Sequence, residues 1–319
     1  MPGRRPTTRL DPLVAKARNL VEPHLSPGAV VAVSGGADSL ALAAVVAFFV
    51  RRRGLDARAV IVDHGLQPGS ADVAARAAEQ CGSLGLPATV STVEVRDLGT
   101  GPEDAARTAR YRALHHEAGP ANLLLAHTLD DQAETVLLGL ARGSGPRAID
   151  GMRPVSGRLH RPFLALRRSE TERICELHDL AWWQDPHNDD PAYRRVRVRR
   201  ELLPLLEDVL GGGVAEALAR TADLVRADAD LLDALASAET SSSGEITDVE
   251  SFADLDRAVR LRVWRRLAVA AGASAGELSH AHTLALDGLL QARGGTRIEL
   301  PGHVVAVREG SGVRFRDER

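Results

Sequence analysis

The sequence predicts an α/β protein: a parallel sheet with helices on both faces, followed by a smaller, mostly helical domain that closes with a short β meander. Three observations predict it. Short β-branched runs alternate with helix-length patterns four times before residue 141. The runs are continuously apolar, as strands buried on both faces are. After three consecutive glycines, Gly211 to Gly213, the alternation gives way to a series of helical patterns.

Ala29 to Val33 (AVVAV) reads as the first strand, and the apolar stretch Ser39 to Arg53 as the helix that it feeds. Ala57 to Val62 precedes a helix from Ala71 to Leu84, Ala88 to Val95 one from Pro102 to Glu117, and Asn122 to Ala126 one from Asp130 to Leu140. Pro87 and Pro102 stand at a strand entrance and a helix start, where a missing N–H is tolerated. Past Gly151 come an Arg- and Pro-containing connection, a helix from Ser169 to Leu180 and the polar segment Gln184 to Asp190. Leu202 to Leu210 is a helix that the glycines stop, so residues 1–209 are expected to form the first domain and 214–319 the second. In the second, Val214 to Ala238, Asp256 to Ala271 and Glu277 to Ala292 read as helices, with a short connection over Thr240 to Gly244. Arg297 to Leu300, His303 to Val307 and Val313 to Phe315 alternate as a meander does.

With 44% hydrophobic and 26% charged residues, the 319-residue chain lies outside the range of disordered or fibrous proteins. Lys16 is the only lysine, which excludes a catalytic lysine anywhere else. Charge is segregated: residues 201–250 hold 2 basic against 12 acidic side chains, whereas 151–200 hold 11 arginines against 7 acids. Five of those arginines fall between 194 and 200, a candidate polyanion footprint. Cys81 and Cys175 are too far apart in sequence for a paired metal motif and are expected to be reduced, structural thiols. No apolar run approaches the roughly 18 residues of a membrane span, and a soluble cytoplasmic protein is expected.

The chemistry is expected first at Ser34-Gly35-Gly36-Ala37-Asp38-Ser39, between a buried strand and its helix, where open parallel sheets bind ligands. Two glycines let backbone N–H groups approach an anion, the helix offers its positive end, and Ser34 and Ser39 add hydroxyls. The loop lacks the Gly-Lys-Ser/Thr ending of a Walker loop. Asp38, a carboxylate beside a polyphosphate, needs an intervening cation and reads as a magnesium ligand. The plain alternative is an acidic first turn of an ordinary helix.

His127, Asp130, Asp131 and Glu134 follow a strand at helical spacing, away from the apolar stripe of Ala133, Val136, Leu137 and Leu140. Three carboxylates beside an imidazole could bind magnesium, hold an ammonium group or take a proton from an amine. Glu103, Arg107, Arg110 and Tyr111 share another helical face, as a surface pair or as a substrate contact. Asp63 and His64 end the second strand on the ligand edge of the sheet. Arg195, Arg197 and Arg199, with Tyr193 able to stack an unpaired base, form a candidate RNA-binding segment, the alternative being a charged surface helix.

Ser34 to Ser39 resembles the SGGxDS loop of the PP-loop ATP pyrophosphatases, an adenine nucleotide alpha hydrolase-like, Rossmann-like group. Val62-Asp63-His64-Gly65-Leu66, Ala126 through Thr135, and Arg142-Gly143-Ser144-Gly145 narrow the resemblance to bacterial tRNA(Ile)-lysidine synthases, over about residues 28 to 206. Glu103 to Tyr111, Arg161-Pro162-Phe163-Leu164 and Asp185 through Tyr193 to Leu203-Pro204 are similar as well. The resemblance implies an enzyme that adenylates the wobble cytidine of the CAU-anticodon isoleucine tRNA with ATP and Mg2+, releases pyrophosphate, and then joins L-lysine to it. It implies that Ser34, Gly35, Gly36, Ala37, Asp38, Ser39, Asp63, His64, Arg142 and Gly143 bind ATP. Arg107, Arg110, Asp130, Asp131 and Glu134 would hold lysine, with Asp38, His127, Asp131 and Glu134 catalytic and Tyr193, Arg195, Arg197 and Arg199 on the tRNA. The second domain would help to select the tRNA, and a homodimer stays open. Gln67 and Val196 depart from the family pattern, where Arg and Asn are common. A PP-loop tRNA thiolase is the alternative enzyme, short here of the paired cysteines it needs, and a non-catalytic nucleotide-binding module the alternative of another class.

Overall fold

The computed structural model describes residues 10–65, 69–93, 102–142, 145–185, 190–240, 246 and 248–318. The chain divides into two compact units: Met1–Thr135 with Met152–Ala219, and Val136–Gly151 with Arg220–Arg319.

In the first unit α1 (Pro12–Val21) precedes β1 (Ala29–Val33), α2 (Ala37–Arg53), β2 (Ala57–Asp63), α3 (Ser70–Ser83), β3 (Ala88–Thr92), α4 (Pro102–Ala118) and β4 (Leu123–Leu124). α5 (Leu129–Arg142) begins in this unit and passes at Val136 into the second, which also holds the short α6 (Pro146–Ile149); the first unit resumes with β5 (Val155–Ser156), β6 (Leu159–His160), α7 (Arg168–Leu177), α8 (Arg194–Arg197) and α9 (Leu203–Val209). The sheet order is β3-β2-β1-β4-β6-β5, parallel throughout except for the hairpin strand β5. β1 is central, with β2 on one side and β4 on the other, so the chain reverses its winding direction there and leaves a crevice at the carboxyl end of β1.

The period of two along the strands explains the two layers. Ala29, Val31 and Val33 of β1, with Ala59 and Ile61 of β2, bury against α1, α2, α3 and α7. Val30 and Val60 face the other way, onto Leu114 and Ala118 of α4. α2 is buried along most of its length because it lies between the sheet and the outer helices α1 and α7. A helix wedged in this way has no wet stripe, which explains its run of Ala, Val, Leu and Phe.

Two expectations need adjustment. β3 is an edge strand with Val90 exposed, so the sheet is covered on both faces only in its centre. The strand expected over Asn122 to Ala126 is regular only at Leu123 and Leu124, flanked by single backbone hydrogen bonds from Val30 N–H to the Asn122 carbonyl and from Leu125 N–H to the His160 carbonyl. Beyond that ladder, the irregular chain at 125–128 carries His127 to the start of α5. The ends of the strand expected through Val95 and of the connection at 241–244 lie outside the described residues.

The second unit contains the long helix α10 (Val214–Glu239) from Arg220 onward, α11 (Val249–Ala253), α12 (Arg257–Ala270), α13 (His280–Gly288) and an antiparallel meander of β7 (Arg297–Leu300), β8 (Val304–Glu309) and β9 (Gly312–Asp317). Trp264, fully buried, is its centre: Phe252 packs edge-on at 4.9 Å, and the indole N–H donates to Asp287 Oδ1 at 3.1 Å. Gly139 is required where α5 meets α6, since a Cβ there would lie 1.7 Å from the Ala148 carbonyl oxygen. Among the described residues no helix is long and apolar enough to cross a membrane.

Candidate active site

The loop between β1 and α2 is held from both sides. Gly35 has φ of 84°, in the left-handed region that glycine alone enters without strain, and a Cβ there would press on Val73 of α3 at 3.2 Å. Its carbonyl accepts the Trp183 N–H at 2.9 Å. Ser39 Oγ donates to Gly36 O at 2.8 Å and accepts the Ser34 N–H at 3.1 Å, which closes the loop on the helix start. Gly36 caps α2 with no side chain of its own, so the N–H groups of the first turn have no side-chain acceptor from the cap.

Asp38, in that first turn, is where α2 meets α7. The Thr171 hydroxyl of α7 donates to its Oδ1, and Arg168 Nε lies 3.5 Å from its Oδ2. Burial pushes its carboxyl up to about 6 despite Arg168 and Thr171, which both favour the ionised form. Cys175, one turn past Thr171, donates to the Ala37 carbonyl at 3.2 Å, so one face of α7 lines the back of the loop.

α5 supplies the other acids. Thr128 caps it: the Thr128 N–H and hydroxyl both donate to Asp131 Oδ2, at 2.9 and 3.1 Å. Asp131 Oδ1 then accepts from Arg168 at 3.0 Å and Arg199 at 3.3 Å. Burial raises the Asp131 carboxyl, but Arg168, the Thr128 N–H, His127 and Arg195 together outweigh it and hold the group below the usual carboxylate range. Asp130 points elsewhere. Its Oδ2 accepts the backbone N–H of Arg168 at 2.7 Å and its Oδ1 the Arg167 guanidinium at 3.1 Å, which fastens the N-terminus of α7 to α5.

Glu134 has no solvent exposure and is enclosed by arginine: Arg195 Nε at 2.9 Å, Arg199 Nε at 2.6 Å and Arg199 Nη2 at 3.1 Å. Of the three arginines expected on the tRNA, Arg195 and Arg199 pair with Glu134 and stay partly exposed, whereas Arg197 is on the outside and pairs with Glu201 at 2.8 Å. A π turn at 198–202 sits between α8 and α9, just before Pro204, whose ring and missing N–H are incompatible with an unbroken α-helical ladder. Val196, in place of the family's Asn, is buried. Tyr193 is half-buried just before α8.

His127 is driven down to about 4 by burial and by Arg161, Arg195 and Arg107, against the pull of Asp131. It is neutral at physiological pH, and its buried Nδ1 has no hydrogen-bond partner among the described residues. Arg107 and Arg110 lie 5.0 and 5.8 Å from the Tyr111 ring centroid, and burial lowers Arg110. Arg161 donates to the Arg153 carbonyl at 2.9 Å. Asp63 Oδ1 accepts the Gly65 N–H at 3.0 Å, and neighbouring His64 is only partly exposed. Arg142 is exposed and belongs to the second unit, while Gly143, Gln67 and the Glu103 side chain lie outside the described residues.

A cleft of about 320 Å³ opens beside these groups, lined by Asp130, Glu134, Arg167, Arg168, Arg199 and Glu207. Arg167, Arg168 and Thr171 have no place among the sequence-derived candidates. Arg168 falls in a plain Arg-Arg-Ser run, and only the packing of α7 against α2 aims it at Asp38.

A glycine-rich, serine-bearing loop at the switch point of a parallel sheet, followed by an acidic helix start, defines a PP-loop protein, and a family model of the PP-loop domain matches residues 10–206. The tRNA(Ile)-lysidine synthase of Leifsonia xyli is 52% identical over 92% of both chains. That of Streptomyces coelicolor is 49% identical over 91% of this chain and 86% of its own, and that of Mycobacterium tuberculosis 54% over 76% of each. The chain belongs to the tRNA(Ile)-lysidine synthase family and is an enzyme that uses ATP. Among solved structures, the U34-tRNA thiolase NcsA of Methanococcus maripaludis superposes with a TM-score of 0.56 at 16% identity, over 67% of this chain and 80% of that one, a likeness of fold alone.

Proposed function

We propose that the chain joins L-lysine to the wobble cytidine of the CAU-anticodon isoleucine tRNA. In the first step the cytidine 2-carbonyl oxygen attacks the α-phosphorus of ATP and the bond to pyrophosphate breaks. In the second the lysine ε-amine attacks C2, the C–O bond breaks and AMP leaves. Activation is needed because a carbonyl oxygen is a poor leaving group and its adenylate a good one.

One observation carries this reading: the loop's Asp38 and the α5 carboxylate Asp131 meet on a single guanidinium, beside a neutral imidazole with an unpartnered nitrogen. Ser34, Gly35, Gly36, Ala37 and Ser39 receive the phosphates. The two carboxylates suit a divalent cation, because ionised Asp38 in its buried place calls for a positive partner. Among the described residues no group of three or more His, Cys, Asp and Glu gathers, as fits Mg2+, which takes one or two carboxylates and completes its shell with phosphate and water. Asp38 and Asp131 would hold it, and bound there it would neutralise charge on the polyphosphate. His127, neutral at pH 7, takes the proton released when the amine attacks. Glu134 and Asp130 face the cleft and select the ammonium groups of lysine, and Arg107 and Arg110 its carboxylate. Asp63 and His64 border the nucleotide, with Arg142 and Gly143 assigned to it as well. Tyr193, Arg195, Arg197 and Arg199 meet the RNA. Residues 1–209 serve as the catalytic domain and 214–319 in tRNA selection.

The sulfur-transfer alternative finds no support in the cysteines. Cys81 and Cys175 are buried, and burial pushes their thiols up to about 11 and about 12, far from reactive thiolates. The test is incubation with ATP, labelled lysine and total bacterial tRNA, followed by nucleoside analysis. Lysine label in a modified cytidine, with AMP and pyrophosphate released, is expected; ADP and orthophosphate would refute the assignment.

A further inference from the structure

Arg168 stands where a cation between Asp38 and Asp131 would stand. Its Nη2 lies 3.0 Å from Asp131 Oδ1 and its Nε 3.5 Å from Asp38 Oδ2, so one planar guanidinium joins carboxylates from α5 and α2. Its backbone is fixed by the Asp130 bond, one turn before Thr171, which donates to the other oxygen of Asp38. The side chain is one-quarter exposed and lines the open cleft, so it has somewhere to go. A guanidinium cannot shed its charge to make room for a metal; it can only move.

We propose that Arg168 is a resident counter-ion which holds the cation position in the nucleotide-free chain and yields it when ATP brings the metal, passing to the polyphosphate as it leaves the carboxylates. The proposal rests on the metal reading given above. It accounts for how two partly buried acids, Asp38 and Asp131, remain near each other before nucleotide binds, and it makes Arg168 both a competitor of free metal and a phosphate ligand. Release of the two carboxylates and capture of phosphate oxygens balance in charge, so the guanidinium is paired before and after.

The experiment is Mn2+ binding to the full chain without nucleotide, read from the electron paramagnetic resonance of free Mn2+, for the parent, Arg168→Gln and Arg168→Lys. Arg168→Gln is expected to bind Mn2+ about tenfold more tightly than the parent while binding inorganic pyrophosphate about tenfold more weakly, with Arg168→Lys between them. Melting temperatures identify any variant that fails to fold, and Arg168→Lys then carries the comparison. Unchanged or weaker Mn2+ binding in the folded variants, with the parent still binding ATP more tightly when Mn2+ is present, overturns the exchange and leaves the function intact. A parent whose ATP affinity is the same with and without Mn2+ overturns the metal reading, and the exchange with it.

Discussion

Glu134, fully buried, accepts the Arg199 Nε–H at 2.6 Å, and this pair joins α5 to the π turn that follows α8. Removing Arg199 leaves Glu134 paired with Arg195, and removing Glu134 leaves Arg199 on Asp131, so each change should cost less than the roughly 3 kcal/mol of an unpaired buried charge. Glu134→Ala is therefore expected to lower the urea midpoint moderately. A double-mutant cycle with Arg199→Ala should return a coupling of roughly 1 to 3 kcal/mol. Additive single effects would show the pair to be energetically idle. At the solvent-exposed pair Arg197 and Glu201, the same cycle should register nothing.

RNA binding separates the arginines differently. Removing an arginine that binds an RNA phosphate should flatten the salt dependence of tRNA affinity by roughly 0.7 to 0.9 in slope. Arg197→Ala and Arg195→Ala are expected to do this with ATP affinity unchanged for Arg197→Ala, whose side chain points away from the acids of α5. Parental slopes in both variants would move the RNA-binding surface to the second unit.

Asp38→Asn should abolish pyrophosphate release and yet stabilise the ligand-free chain in a pH-dependent way. Because the folded carboxyl sits at about 6, above its ordinary 3.8, the parent's neutral form is favoured at acid pH and that stability is lost as pH rises to about 6. The melting-temperature advantage of the Asn variant should therefore grow between pH 4 and pH 6 and level off above it, at no more than about 3 kcal/mol. An advantage independent of pH would contradict the burial of an ionising Asp38.

His127 titrates with the opposite sign. Its folded value of about 4 lies below the ordinary 6.5, so the stability it contributes is complete above 6.5 and is lost as pH falls toward 4. The parent should lose up to about 3 kcal/mol across that window relative to His127→Gln. The variant should also lose lysine incorporation at pH 7 more severely than adenylation, as measured by pyrophosphate release. Equal losses in both steps would make His127 a residue of the first step.

The loop, the order of strands and helices, and the acidic turn of α5 were legible because each is local: a period of two or 3.6, a glycine pair, a carboxylate at a helix start. The edge exposure of β3 was not, since burial of an edge depends on what lies beside it. The roles of Asp130 and Arg195 were also hidden. Asp130 shares its spacing with Asp131, yet it caps α7, 37 residues away at Arg167. Arg195 and Arg199 belong to a run that local charge density assigns to solvent or phosphate, and both pair with the buried Glu134 while their side chains stay partly exposed.

The chain alone dictates that a glycine- and serine-bearing loop opens a buried helix, that Asp38 stands in its first turn and that His127 enters α5 beside three acids. These follow from short-range chain geometry, which every residue carries with it. Which charges meet depends on how the helices pack. Arg168 and Thr171 reach Asp38 across more than 100 residues because α7 packs on α2, and ion pairing in a desolvated cleft depends on distance through space.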